Sequence, residues 1–428
     1  MLPTTLDQHL YRTWQAFNAN FGSLRLFGEQ IAQIADRLDR QSVSDMAEVL
    51  ADVFDEPQEE VEAELLEFLP SLDDLELYPN FADRPDVRET LQYFKDRRFK
   101  ARVLQWAMEN PRKSHKLAQA WADCFSEPPA HGLLLRRSAL ISLVGTLEIL
   151  LEALFFSYYF YVNGNSTAED EAQEAKARQQ AEKAMGGGWR RRIEKFGDLG
   201  IDLTSIQDYL DELVEITQRR NTLVHNQGVI DADYMKKSPP THRPIEAKEG
   251  LMLVVSTRYL ERAFDVVLLI AFGLSQTCWR QWRPAEKQKK ADRVIETLIY
   301  QTLRQGRYEL VQDLALMTER TDLSWQLRQL VLVNAAIAFR ERGDKTAMRN
   351  EITRLKRKRR GMQANIALAI LQENFLEARR LMKQAADKSK LHQYISPYWP
   401  LFAPIKNEPW FKRLFDASER DKIPKSRR

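Results

Sequence analysis

The residues best suited to chemistry lie near the middle of the 428-residue chain, in the segment 219–226, which reads RRNTLVHN. Arg220, Asn221 and His225 form the pattern R-N-x-x-x-H. A histidine side chain can take up and release a proton near neutral pH. An arginine carries a permanent positive charge on a planar group that matches the geometry of a phosphate. An arginine five residues before a histidine is common by chance, but the asparagine directly after the arginine makes the pattern much rarer.

RNA is the substrate that this combination suits, because its 2′-hydroxyl can serve as an internal nucleophile. Cleavage needs a base for the 2′-hydroxyl proton, an acid for the leaving 5′-oxygen and positive charge beside the phosphorane. His225 would transfer the protons, Arg220 would stabilise the charge, and Asn221 would orient the histidine or bind a phosphate oxygen. The products would be a 2′,3′-cyclic phosphate and a 5′-hydroxyl. The sequence has no HExxH motif and no carboxylate–histidine cluster at ligand spacing, so we expect no metal and no other cofactor.

The spacing of the motif also predicts a homodimer. On an α-helix, Asn221 and His225 share a face, whereas Arg220 and His225 point about 140° apart. Either Arg220 reaches round the helix, or the backbone deviates locally, and one copy alone makes a poor active site. Two copies related by a two-fold axis would place two arginines and two histidines round one cleft. The apolar segment 138–162 is also longer than one small bundle can hide.

Two long apolar segments flank the motif, 138–162 and 251–274, and both carry charged residues. Glu148 and Glu152 lie near the centre of the first segment, where inserting each carboxylate into a membrane would cost about 2.5–3.5 kcal/mol. We therefore expect two buried helices of a bundle and no membrane partner. The chain begins without a basic stretch followed by an apolar one, and it has only two cysteines, Cys124 and Cys278. These features predict a cytoplasmic protein without a disulfide framework.

The motif and its flanking helices resemble HEPN domains, which are compact helical bundles. The resemblance covers about 135–280, a third of the chain. In that family an R-x(4–6)-H motif, usually with a polar residue after the arginine, marks metal-independent ribonucleases. Arg220, Asn221 and His225 fall on the arginine, polar and histidine positions, and the resemblance implies that they are catalytic.

The same resemblance assigns Glu148 to an acidic position that is often found in such bundles. We count Glu148 and Arg219 as substrate-binding residues. HEPN ribonucleases often serve in microbial toxin–antitoxin systems and in anti-phage defence, so the resemblance implies a toxin or defence effector. Its substrate would be tRNA, mRNA or phage RNA.

The C-terminal part of the chain contains three similar helix–turn–helix segments. Their predicted turn residues are Gly306, Gly343 and Asn374, with spacings of 37 and 31 that average 34 residues. The segment resembles tetratricopeptide repeats, although the Trp-Leu-Gly-Tyr signature is absent, and a generic stack of helical hairpins is an alternative. Either arrangement gives a curved surface for a regulatory protein partner.

The charge of the chain is distributed unevenly, although the formal net charge is only +3. The segment 45–89 carries a net charge of −14, and the segment 284–428 carries +14. Within the latter, RLKRKRR at 354–360 either binds RNA phosphates, acts as a localisation signal or forms a solvated helix end. The segment FSEPPAHG at 125–132 predicts a linker, because Pro-Pro and Gly end helices.

These patterns predict an all-α protein in three parts. They are an acidic N-terminal helical region at 1–130, a HEPN-like bundle at 131–283 and a basic repeat region at 284–428. Near the N-terminus, the spacing of Leu24, Phe27, Ile31, Ile34 and Leu38 predicts one buried helix face. The function that we expect is RNA cleavage. The alternative is a non-catalytic scaffold that dimerises and binds a protein or nucleotide partner, in which His225 only packs or caps a helix.

Overall fold

The predicted all-α class is confirmed, because the described part of the chain consists of helices and only two strands of two residues each. The chain divides into two compact units, 1–278 and 279–428. Cys124, residues 125–130 of the predicted linker, much of the acidic segment and the end of the basic run lie outside the described residues. The computed structural model describes residues 5–54, 57–68, 77–78, 131–164, 171–245, 247–284, 288–319, 321–357, 361–387 and 396–420.

The first unit is built on long helices that pack side by side. In chain order the elements are α1 (Leu6–Phe54), α2 (Gln58–Phe68), β1 (Leu77–Tyr78), α3 (His131–Ser157), α4 (Glu171–Ala184), α5 (Trp189–Asp198), α6 (Leu210–His225), α7 (Ala232–Lys237), β2 (Met252–Leu253) and α8 (Thr257–Trp282). A π-helical turn at Tyr158–Val162 extends α3, a 3-10 turn at Thr204–Tyr209 precedes α6, and β1 pairs antiparallel with β2. The last residues of α8 belong to the second unit.

The first helix, α1, belongs to the same compact unit as α6, which carries the motif. Helix α1 packs extensively along α3, and its aromatic rings also reach α8. The Phe21 ring meets the Phe264 ring edge-on, with 5.4 Å between the centroids. The buried face of α1 repeats every three or four residues, at Leu6, Leu10, Trp14, Phe17 and Phe21.

The predicted buried face of α1 was wrong at Phe27, whose side chain is 47% exposed. The face continues from Phe21 through the half-buried Leu24 to Gly28. A Cβ at Gly28 would lie 3.5 Å from the Phe264 ring, so a glycine occupies the position that faces the neighbouring helix. The apolar pattern indicated the helix but not this glycine contact.

Two helices are long and apolar enough to cross a membrane by length and composition alone, Leu134–Val162 and Thr257–Trp282. In the apolar window of α8, 83% of the residues are buried inside the protein, compared with 56% for α3. Helix α3 therefore keeps a partly apolar outer face, on which Leu134 is 57% and Ile149 is 65% exposed.

The second unit contains three helical hairpins followed by a short closing segment. Each hairpin packs its two helices against one another. The closing segment consists of a 3-10 turn at Pro400–Phe402 and the helix α15 (Pro409–Arg420). The hairpin helices are α9 (Lys289–Arg304), α10 (Tyr308–Met317), α11 (Trp325–Glu341), α12 (Lys345–Lys356), α13 (Met362–Leu371) and α14 (Phe375–Asp387).

The three hairpin turns share one backbone conformation, and this corrects the predicted third turn residue. Gly306, Gly343 and Glu373 have φ angles of 74°, 78° and 58°, in the left-handed region. In each turn the following N–H donates to a carbonyl five residues earlier, as in a helix that ends in a left-handed residue. Asn374 lies one position after the left-handed residue, where its Oδ1 accepts from the Glu377 N–H at 3.1 Å. It therefore caps α14.

Replacing Glu373 with glycine should stabilise the second unit. A side chain in the left-handed region costs about 1 kcal/mol, which glycine avoids. We expect Glu373→Gly to raise the free energy of unfolding by about that amount, as a shift of the urea midpoint followed by far-UV circular dichroism. Gly343→Ala, in the equivalent turn, should shift the midpoint the other way. A Glu373→Gly protein less stable than the wild type would contradict this account of the turn.

Candidate functional site

The R-N-x-x-x-H motif lies in the last two turns of α6. Arg220 and Asn221 are half-buried, and His225, the last residue of the helix, is exposed. The Asn226 N–H donates to the Thr222 carbonyl at 2.9 Å, which completes the last helical turn. The backbone is thus regular through the motif, and Arg220 and His225 point about 140° apart. The predicted alternative of a local backbone deviation is not what the structure shows.

The structure brings Arg220 together with Asn221 but not with His225. Arg220 Nη1 donates to Asn221 Oδ1 at 3.1 Å. Its Nε is buried and has no hydrogen-bond partner among the described residues. Since Asn221 Oδ1 accepts from Arg220, the asparagine positions the guanidinium, and its amide nitrogen remains a donor for an acceptor oxygen. The guanidinium retains donors that a phosphate could satisfy.

A tight turn follows directly after the motif histidine. Gln227 and Gly228 both have positive φ angles, 53° and 93°. The Gly228 N–H donates to the Thr222 carbonyl at 2.9 Å, and Asn226 Nδ2 donates to the Val229 carbonyl at 2.6 Å. A left-handed glutamine is uncommon and requires support from its surroundings. The turn leads the chain abruptly away from His225, which leaves the imidazole at an exposed helix end.

Arg137, in the second turn of α3, is a further cation at this end of α6 that the sequence did not indicate. Its Nη1 lies 3.5 Å from the Gln227 carbonyl oxygen. A Cβ at Gly228 would lie 3.2 Å from its Nη2, so the guanidinium lies against bare backbone. Burial lowers the pKa of Arg137 below its ordinary value. Its Nε is buried without a partner in the described part of the chain.

Arg219, the neighbour of Arg220, is a structural residue, contrary to its predicted role in substrate binding. Its side chain is 1% exposed and forms an ion pair with Glu215, with 2.8 Å between Nε and Oε1. Its Nη1 donates to the Val254 carbonyl at 2.7 Å, and its Cζ lies 3.8 Å from the centre of the Tyr259 ring. A phosphate could not reach this guanidinium without opening the core.

Two tyrosines complete the surroundings of this buried pair. Tyr234 and Tyr259 donate their hydroxyls to Glu215 Oε1 and Oε2 at 2.8 and 2.6 Å. Burial and then the Glu215 charge raise the pKa of each tyrosine, so both remain donors. Burial alone would lower the pKa of Arg219, but Glu215 and the two tyrosines raise it. The cluster therefore fixes α6 to α7 and to the segment that leads into α8.

Glu148, the acidic residue predicted on α3, forms an ion pair with Arg192 of α5, with 2.8 Å between Oε1 and Nη1. Along a straight helix it lies about 16 Å from Arg137, which contacts the turn after the motif. Its carboxylate thus joins two helices of the bundle. No contact between Glu148 and the motif residues is present among the described contacts.

Comparison of the chain with protein-family models, curated proteins and solved structures finds no match. Within the described ranges, no group of three or more histidine, cysteine, aspartate or glutamate side chains could hold a metal ion. Cys278 is buried, and burial raises the pKa of its thiol. At the end of α6, Arg137, Arg220, Asn221 and the exposed His225 retain polar groups that a ligand could use.

Removing Arg219 should destabilise the protein rather than weaken a substrate contact. Arg219→Ala leaves the Glu215 carboxylate buried and unpaired, so we expect a loss of about 3–5 kcal/mol in the free energy of unfolding. The matched control is Arg220→Ala, which leaves no buried counter-charge and should cost less than about 1 kcal/mol. Urea denaturation followed by circular dichroism measures both. Wild-type stability of Arg219→Ala would contradict the structural role.

Proposed function

We propose that the protein is a metal-independent endoribonuclease whose catalytic residues are Arg220, Asn221 and His225. The observation that supports this most directly is the combination at the end of α6. His225 is exposed at the last position of α6, Arg220 is half-buried five residues earlier on the same helix, and the half-buried Arg137 contacts the turn that follows. Each arginine has a buried Nε without a hydrogen-bond partner in the described part of the chain. Proton transfer and phosphate binding are the functions that these groups can perform together.

In the proposed reaction, an imidazole removes the proton of the RNA 2′-hydroxyl, and O2′ attacks the adjacent phosphorus. The bond from phosphorus to the 5′-oxygen breaks, and that oxygen takes a proton from an acid. The arginines stabilise the negative charge of the phosphorane. One imidazole cannot be base and acid on opposite sides of the phosphorus in the same step. Two copies of His225, one as base and one as acid, would meet both requirements.

Exposed apolar residues near the motif support a homodimer with a composite site. Val224, directly before His225, is 44% exposed, and Leu134, one turn before Arg137, is 57% exposed. The Arg137 contact with the turn after α6 places both side chains at the same end of the bundle. A two-fold contact through this end would cover both and would bring two copies of His225 together.

The biological role that we propose is a cytoplasmic toxin or anti-phage effector of the HEPN kind, and it rests on the motif resemblance. The helical hairpins would then bind a regulatory protein partner. The second candidate is a non-catalytic HEPN-like scaffold that dimerises and binds a protein or nucleotide. It is favoured by one observation, that His225 forms no hydrogen bond with Arg220 or Asn221 in the described contacts. Measured cleavage separates the two candidates.

Full-length protein should cleave single-stranded RNA in the presence of EDTA and leave 2′,3′-cyclic phosphate ends. His225→Ala and Arg220→Ala should each lower the rate by about 100-fold or more, because proton transfer and charge stabilisation are lost. Cleavage is measured on end-labelled RNA by gel electrophoresis. RNA that carries 2′-O-methyl groups should remain intact, because it lacks the nucleophile.

Matched controls exist for both substitutions. His242→Ala removes a histidine from the loop after α7, and Arg258→Ala removes an exposed arginine from α8. Both should cleave like the wild type, whereas Arg137→Ala should be slower. Equal cleavage by His225→Ala and the wild type would refute the proposed ribonuclease activity. The proposal would also fail if the wild-type protein were not toxic on expression and cleaved no RNA either in cell extract or in purified form.

The dimer should depend on the motif end of the bundle. Val224→Asp or Leu134→Asp places a charge in the proposed contact and should weaken dimerisation about tenfold or more. An aspartate in the first turn of α3 is compatible with the helix dipole, so Leu134→Asp should still fold. Ile149→Asp is the control, since Ile149 is as exposed but lies about 22 Å further along α3. Light scattering at micromolar concentration reports the mass. A dimer that neither Val224→Asp nor Leu134→Asp weakens would exclude this interface.

A further inference from the structure

The second unit contains an open cavity of about 320 Å³ between its second and third helical hairpins. Its lining combines aromatic rings, carboxamide groups and small apolar side chains. Among the described residues, no charged side chain contributes to this lining. The principal lining residues are Trp325, Gln326, Gln329, Gly361, Gln363 and Trp399.

The two tryptophans of this cavity have different surroundings. Trp325, the first residue of α11, is 46% exposed, although it is a large apolar ring. Trp399 is 4% exposed, and its Nε1 donates to Asn334 Oδ1 at 2.8 Å, so its ring is a fixed wall. A Cβ at Gly361 would lie 3.5 Å from the Trp325 ring, which therefore lies close to bare backbone. The cavity thus has one fixed ring and one exposed ring.

The chemistry of the lining matches a planar, uncharged heterocycle. An exposed indole offers a face for stacking, and every nucleobase has a corresponding face. The carboxamides of Gln326 and Gln363 each offer donors and an acceptor, as the edges of bases require. Among the described lining residues, a charged side chain of a peptide would find no counter-charge.

Positive charge adjoins the cavity along the chain. Gly361 directly follows the basic run 354–360. In the described part of that run, Arg354 is paired with Glu319 and Glu351, whereas Arg357 is exposed at the end of α12. An exposed arginine four positions before Gly361 in the sequence suits the phosphate of a nucleotide whose base is inside the cavity.

We propose that this cavity binds an unpaired base of single-stranded RNA, with Trp325 as the stacking platform and Arg357 as a phosphate contact. This site would hold RNA whether or not the motif of the first unit cleaves it. The inference therefore goes beyond the proposed ribonuclease activity, and its test does not depend on that activity.

The test measures RNA binding by full-length protein that carries His225→Ala, so that cleavage does not interfere. Fluorescein-labelled single-stranded RNA of twelve nucleotides is titrated, and its anisotropy gives the Kd. Trp325→Ala should weaken binding about 5- to 100-fold, and Trp325→Phe should retain most of the affinity. Arg357→Ala should reduce the dependence of log Kd on log salt by about one phosphate contact, which Trp325→Ala should not do.

The matched control is Trp410→Ala in α15. Trp410 is half-buried, and its ring lies 5.8 Å from Arg379 Cζ, outside the cavity. This variant should bind RNA like the parent protein. Circular dichroism establishes that each variant is folded. If Trp325→Ala does not fold, the affinity of Trp325→Phe still tests the stacking contact.

Three results would overturn the proposal. One is equal RNA affinity of the parent, Trp325→Ala and Trp410→Ala proteins. Another is absence of binding to single-stranded RNA at low salt. The third is binding of adenosine or uridine monophosphate, measured by quenching of tryptophan fluorescence, that is as tight as binding of the oligonucleotide, since the ligand would then be a free nucleotide. Loss of cleavage alone affects none of these readouts, so the two proposals fail separately.

Discussion

The buried ion pair between Glu215 and Arg219 is the interaction on which the position of the motif depends. Burying the two charges costs several kcal/mol for each unless hydrogen bonds satisfy them. Here two tyrosine hydroxyls and the Val254 carbonyl do so. Helix α6 therefore cannot rotate or slide without leaving a charge unsatisfied in the core. Because successive helical residues point about 100° apart, fixing Arg219 inside also fixes Arg220 at the half-buried flank.

The same constraint explains why the end of α6 is open. With α6 fixed by its buried side, His225 reaches the exposed last position, and the left-handed turn at Gln227 and Gly228 takes the chain away. Arg137 then fits against the glycine backbone, where a Cβ would lie 3.2 Å from its Nη2. Arg219 stabilises the fold through its buried contacts. Arg220, the next residue, keeps a buried Nε without a hydrogen-bond partner among the described residues. Unpaired buried donors at a helix end are costly unless a ligand uses them.

The sequence predicted the helices better than it predicted the role of single side chains. The all-α class and the three C-terminal hairpins follow from apolar periodicity and turn residues. The third turn was misplaced by one residue, because Asn374 looks like a turn residue while Glu373 adopts the left-handed conformation. Arg219 and Arg220 are adjacent arginines that the sequence alone does not distinguish. Only the packing of α6 shows which one is buried. Arg137 is 83 residues before Arg220, so no local spacing could indicate it.

Charge alone would not give the second unit any selectivity among nucleic acids. Several of its arginines are already neutralised, as Arg342 is by Glu309 and Arg380 by Glu377, and the rest would attract any polyanion.

A stacking cavity adds a different criterion, because a base must leave its own stack before it can enter. Duplex RNA presents phosphates and 2′-hydroxyls but keeps its bases stacked, whereas loops and ends expose them. In the proposed scheme, phosphate attraction supplies affinity and the Trp325 cavity supplies the preference for unpaired RNA. In-line attack by a 2′-hydroxyl requires the same unpaired state, since an A-form helix holds O2′ away from the line opposite the 5′-oxygen.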